Sequence, residues 1–259
     1  MFNSNFSNSR NAETAQMQAA AFDAGLRAYM LRVYNWMAAG LAVTGVVAYA
    51  VAHVAAVRAL FFHFVSSGNG VMIRPTGLGY IGIFAPFVFV MVMSFGVNRL
   101  SLQAVRSLFW AFCAVMGISM ANIFLGYTAT SIARVFFITA AMFGGMSLWG
   151  YTTGKSLASF GSFLMMGLFG IVIAMLVNLF LQSSGLAFLL SLVGVFVFVG
   201  LIAYDTQRIK LSYQQFAYYE GPEGALRRSV YDALTLYLNF INLFQFLLAF
   251  MGDRQGSRE

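Results

Sequence analysis

The chain has 259 residues, a formal net charge of +7, 60 % hydrophobic and only 9 % charged residues, with a mean hydropathy of +0.78. Soluble domains carry roughly a quarter charged residues, so this composition excludes one and indicates a polytopic membrane protein. The basic residues are spread over loops and helix ends instead of one face, which speaks for membrane topology and against nucleic acid as a partner.

Residues 1–32 are polar, with Arg10, Arg27 and Arg32 set against Glu13 and Asp23. No apolar core precedes a cleavage site, so they read as a cytoplasmic tail, disordered at first and turning into an amphipathic helix near residues 20–32. Apolar runs follow at 33–57, 78–97, 108–127, 135–151, 160–181, 186–204 and 231–251. Each is long enough to cross about 30 Å of hydrocarbon as a helix, and none alternates like a barrel strand. The expected fold class is therefore all-α, a polytopic membrane bundle of seven transmembrane helices. It forms one domain over residues 33–251, with a short polar tail at 252–259.

Orientation follows from Lys and Arg. With the N-terminus inside, Arg10, Arg27, Arg32, Arg99, Arg106, Lys155, Arg208, Lys210, Arg227 and Arg228 are internal, and Arg58, Arg74, Arg134, Arg254 and Arg258 are external. The excess favours a cytoplasmic N-terminus and an external C-terminus. Gly40, Thr44, Gly144, Gly145, Gly167, Gly170, Gly194 and Gly200 read as places of close helix approach. Tyr34, Trp36, Tyr80, Tyr127, Trp149 and Tyr151, near span ends, read as interfacial anchors. Cys113 is the single cysteine, so no intramolecular disulfide forms.

The functional expectation rests on polar residues in the last two apolar segments. Asp205 ends the sixth span in Ala-Tyr-Asp-Thr-Gln-Arg-Ile-Lys (203–210), and Arg99 closes the second span at the same inner face. Charge in hydrocarbon is costly unless paired. Asp205 is thus expected to pair with Arg99, or to be a span-end acid paired with Arg208 or Lys210. Asp232, Asn239 and Asn242 are spaced by seven and three residues and share a stripe of the last helix, with Gln245 beyond them. Asp232, Asn242 and Gln245 read as pore-mouth groups or helix glue, with Asp232 alternatively an exposed acid at the helix start. Asn122 and Asn178 read as isolated glue, and residues 211–230 as a loop that could cover the inner mouth. His53 and His63 lack partners at metal-ligand spacing. No nucleophile–base set or phosphate loop is present either, so neither a metal, a cofactor nor an enzymatic activity is expected.

Residues 203–210, Ala-Leu-Thr-Leu-Tyr-Leu-Asn-Phe-Ile-Asn-Leu-Phe (233–244) and Ser-Leu-Trp-Gly-Tyr-Thr-Thr-Gly-Lys-Ser-Leu (147–157) resemble the Bax inhibitor-1/YccA-like family from about Arg32 onward. The resemblance implies six helices around a central seventh, in the bacterial inner membrane. It also implies a pH-sensitive calcium leak, gated by two hydrogen-bonded aspartates on the last two helices with an arginine nearby. The first aspartate corresponds to Asp205 and the arginine to Arg99. The second falls on Asn239, because the family's Leu-Tyr-Leu-Asp-Phe-Ile-Asn reads Leu-Tyr-Leu-Asn-Phe-Ile-Asn here. Two close carboxylates share a proton and titrate as a pair, so the asparagine predicts a weaker or acid-shifted pH response. Calcium is the implied permeant ion, the lipid bilayer the surroundings, and ion homeostasis or stress survival the implied role. A second implied role is a non-conducting partner that restrains an FtsH-type ATP-dependent membrane protease through the N-terminal tail.

Overall fold

The computed structural model describes residues 3–67, 70–96, 99–216 and 219–255, with side chains from Phe22 onward except over residues 65–72. Of the basic residues weighed for orientation, the side chain of Arg10 and the whole of Arg258 lie outside the described residues. The elements are α1 (Asn3–His53), α2 (Ala55–Phe61), β1 (Phe62–Ser67), β2 (Gly70–Pro75), α3 (Gly77–Gly96), α4 (Leu102–Gly126), α5 (Ala129–Thr152), α6 (Ala158–Leu181), α7 (Ser184–Phe216) and α8 (Gly221–Met251). All of these helices except α2 contain a stretch long and apolar enough to cross a membrane, seven in all. The all-α bundle of seven spans is therefore what the chain forms.

Three features depart from the sequence reading. First, β1 and β2 make an antiparallel hairpin after the first span, pairing Phe62 with Pro75 and Ser67 with Gly70. Its strands are too short to register as spans, and its base is tied by Thr76, whose Oγ1 donates to Leu60 O at 2.6 Å. Second, α1 runs unbroken through residue 32. Leu26, Tyr29, Met30 and Val33 are buried in the bundle, and their spacing of three, four and seven is one helical face. Third, most of residues 211–230 is helix, because α7 continues to Phe216 and α8 starts at Gly221. Ile209 and Phe216 are buried on this extension, so an amphipathic turn follows where the continuous apolar run stops. Pro222 stands in the first turn of α8, where its missing N–H costs nothing.

The last helix is the most buried of the seven spans and packs against α1, α4, α5 and α7, while α3 packs on α4 and α6 on α7. Contact with four helices is thus established for α8, which is less than the ring of six that the family resemblance implies. Close approach depends on some of the expected glycines and not others. A Cβ at Gly194 would lie 2.6 Å from the Phe246 ring and one at Gly200 2.8 Å from Leu164, whereas Gly144, Gly145 and Gly170 have no such atom within 4 Å. The residues after α8 fold back on the α4–α5 turn, where Asp253 O accepts from Thr128 N at 3.0 Å and Arg134 pairs with Asp253 at 3.1 Å.

Candidate functional site

One and a half turns of α7 join most of the bundle. In a helix, successive side chains point about 100° apart, so Asp205, Thr206 and Gln207 address three different neighbours. Asp205 Oδ2 accepts from Asn239 Nδ2 on α8 at 2.7 Å, and its Oδ1 pairs with Arg208 Nη2 at 3.0 Å. Thr206 lies 3.0 Å from the Ser147 hydroxyl on α5, which in turn is 2.5 Å from the Tyr34 hydroxyl on α1. Tyr34 is therefore a bundle contact more than an interfacial anchor. Gln207 holds the α5–α6 turn from both sides, accepting from Leu157 N at 2.7 Å and donating to Lys155 O at 2.8 Å. Lys210 donates to Tyr151 O at 2.8 Å.

Two glycines make this density possible. A Cβ at Gly150 of α5 would collide with the Ala203 carbonyl, and one at Gly161 of α6 with the Tyr204 ring. The carboxylate of Asp205 is consequently almost shielded, its side chain 9 % exposed, while that of Arg208 is 49 % exposed. The ion pair therefore has one partner in the protein interior and one at its edge. Removing the outer partner leaves an uncompensated buried charge, which is far more costly than the pair itself is stabilising.

The other predicted residues do not gather at this point. Arg99 is exposed on the rim of a shallow pocket with Phe95 and Leu100, and among the described residues it has no ion pair. The expected Asp205–Arg99 pair is replaced by Asp205–Arg208, because among the described residues α3 packs chiefly on α4, and next on α2. Asp232 lies well inside α8, since the helix begins at Gly221, so it is neither at the helix start nor exposed. Its Oδ2 accepts from Tyr29 Oη of α1 at 2.6 Å, a partner that sequence reasoning missed by assigning residue 29 to the tail. Asn242 donates to Leu238 O of its own helix at 2.8 Å. Asn178 likewise serves its own helix end, accepting from Ser183 N at 3.0 Å. The predicted stripe of α8 thus divides, with Asp232 facing α1 and Asn239 facing α7.

Asn242 and Gln245 line a groove of about 650 Å³ between α6, α7 and α8, together with Asn178 and Ser191. Among the described residues, no three His, Cys, Asp or Glu side chains come together to hold a metal ion. What the arrangement can do is hold α7 against α8 through one shielded carboxylate, below a groove whose walls carry amide oxygens.

Comparison with known proteins bears on this geometry. Residues 26–256 match the family profile described as inhibitor of apoptosis-promoting Bax1. The chain is 44 % identical over 259 residues to an uncharacterized protein of Caulobacter vibrioides, covering 100 % of this chain and 99 % of that one. It is 46 % identical over 243 residues to uncharacterized protein RP147 of Rickettsia prowazekii, covering 93 % and 96 %. It is also 44 % identical over 232 residues to inner membrane protein YbhL of Escherichia coli, covering 90 % and 94 %.

Proposed function

The chain belongs to the Bax inhibitor-1 family of multi-pass membrane proteins, and from that premise we propose that it is an inner-membrane cation leak, with calcium as the permeant ion and pH-dependent gating at the Asp205–Asn239 contact. The observation that carries this reading is the buried 2.7 Å hydrogen bond from Asn239 to Asp205, at the two positions that correspond to the family's paired aspartates. It latches α7 to α8 below the amide-lined groove, so its loss frees those helices to part. Asp205 faces Arg208 on its own helix, Asn239 on α8 and, at longer range, the charge of Asp232. Calcium takes six to eight oxygen ligands when held firmly. One carboxylate with a few amides falls short of that set, which suits passage better than retention.

The basic residues near Arg27, Lys155 and Lys210 argue for a cytoplasmic N-terminus and, across seven spans, an external C-terminus. The test is calcium flux into proteoliposomes over a pH series for wild type, Asp205→Ala and Asn239→Asp. Flux that depends on Asp205, and a steeper pH response in Asn239→Asp, are expected. Flux no greater than in empty liposomes for every variant overturns the leak. That outcome leaves the second reading, a partner of an ATP-dependent membrane protease, favoured by the helical backbone that α1 extends from Asn3 ahead of the buried residues Leu26 and Tyr29.

A further inference from the structure

We propose that the cleft between α1 and the C-terminal half of α5 binds one anionic phospholipid, with an acyl chain in the cleft and the phosphate on Arg27. This site is separate from the proposed ion pathway. Helix α1 leans on α4 and α8 while α5 leans on α7 and α8, leaving a cavity of about 470 Å³ between them. That volume lies in the range of roughly 300–1,000 Å³ typical of small-molecule sites.

The cleft is apolar along its length and open sideways, where hydrocarbon would lie. Its lips are Leu31 and Leu148, 53 % and 64 % exposed. On its floor the Tyr34 and Ser147 hydroxyls bond each other at 2.5 Å, so an acyl chain meets no unpaired donor there. At its mouth stands Arg27, exposed and, among the described residues, without hydrogen bond or ion pair. The carbonyl of Tyr151, another lining residue, accepts from Lys210 Nζ at 2.8 Å, so a second cation is held beside the cleft. Seven helical residues, about 10 Å, separate Arg27 from Tyr34, which sets the headgroup at the surface and the chain in the core. A guanidinium binds phosphate through paired hydrogen bonds, and the basic end of the bundle is the one that would meet anionic lipids.

Gly144 supplies the test. It lines the cleft, and a Cβ there would have no atom within 4 Å, so the side chain of Gly144→Leu starts in open space and takes up volume in the cleft. Gly170, on α6, is equally open and lies elsewhere, so Gly170→Leu controls for added bulk. The full chain in detergent is titrated with phosphatidylglycerol or phosphatidylcholine, and retained lipid is counted by native mass spectrometry. Wild type and Gly170→Leu are expected to keep one more phosphatidylglycerol than Gly144→Leu does. Arg27→Gln is expected to bind it about tenfold more weakly, the effect of one lost charge-assisted contact, with phosphatidylcholine binding unchanged. Equal phosphatidylglycerol retention by Gly144→Leu and wild type overturns the site. Equal affinity of Arg27→Gln and wild type overturns the assignment of the headgroup.

Discussion

Arg208 pairs with the carboxylate of Asp205 from one turn further along the same helix, Nη2 to Oδ1 at 3.0 Å. Because Asn239 occupies the other oxygen at 2.7 Å, both oxygens are engaged and neither contact involves the second span. The charge that the family resemblance places on Arg99 is thus supplied from within α7.

Arg208→Gln is accordingly expected to lower stability by about 1–3 kcal/mol, since it strands a shielded charge that keeps only one neutral donor. Arg99→Gln, at an exposed position, is expected to change it by less than about 0.5 kcal/mol. Thermal unfolding of the two variants in one detergent distinguishes them, and equal losses would restore Arg99 to the site.

Tyr29 extends the bundle to residues that composition assigns to the tail. Tyr29→Phe removes the donor to Asp232 Oδ2 and is expected to cost about 1–3 kcal/mol, with the loss largely absent when Asp232 is already Ala. Truncation of residues 1–32 removes Leu26, Tyr29 and Met30 from the core and is expected to abolish folding. Size-exclusion profiles after extraction provide the check.

Gly150 faces the backbone of Ala203 so closely that a methyl group has no room. Gly150→Ala is expected to destabilise by about 1–3 kcal/mol through forced separation of α5 and α7. Gly144→Ala, six residues earlier in open space, is expected to be near neutral. A melting-temperature comparison of this pair isolates helix approach from helix propensity, which both substitutions improve equally.

At the start of α8, Glu220 accepts from Arg228 Nε at 2.5 Å and also from Nη2. These hydrogen bonds, and then the guanidinium charge, hold the Glu220 carboxyl below its ordinary value of 4.5. A group depressed on folding contributes stability that is fully present above its ordinary value and disappears as pH falls through the lower, folded one. Wild type should therefore lose its advantage over Arg228→Gln as pH drops below 4.5. Melting temperatures that differ by the same amount at pH 7 and pH 3 would show that Glu220 is not the group responsible.

Much of this architecture was legible in the chain. Seven apolar runs need backbone satisfaction in hydrocarbon, and only helices provide it locally, so span number and fold class follow from composition and length. Asp205 was marked because an acid at the end of an apolar helix needs a partner, and Arg208 stood among its candidate partners as a residue three positions away. Local spacing also carried signals that the apolar runs obscured. Leu26, Tyr29, Met30 and Val33 repeat with helical period ahead of the first run, and Ile209 and Phe216 continue the sixth run beyond its polar break.

What tertiary structure alone decided is which polar groups meet. Asp232 and Asn239 share a stripe by sequence, but α8 is flanked on several sides, so seven residues along it are enough to pass from Tyr29 of α1 to Asp205 of α7. Arg99 was separated from Asp205 by the placement of α3 against α4, which no property of residue 99 expresses. The sequence by itself determined the elements, because burial in hydrocarbon acts on each helix separately. The partners depend on how helices are arranged around one another, and that arrangement is set by distributed contacts such as Gly150 on Ala203 and Gly194 on Phe246, whose meaning appears only once the helices are packed.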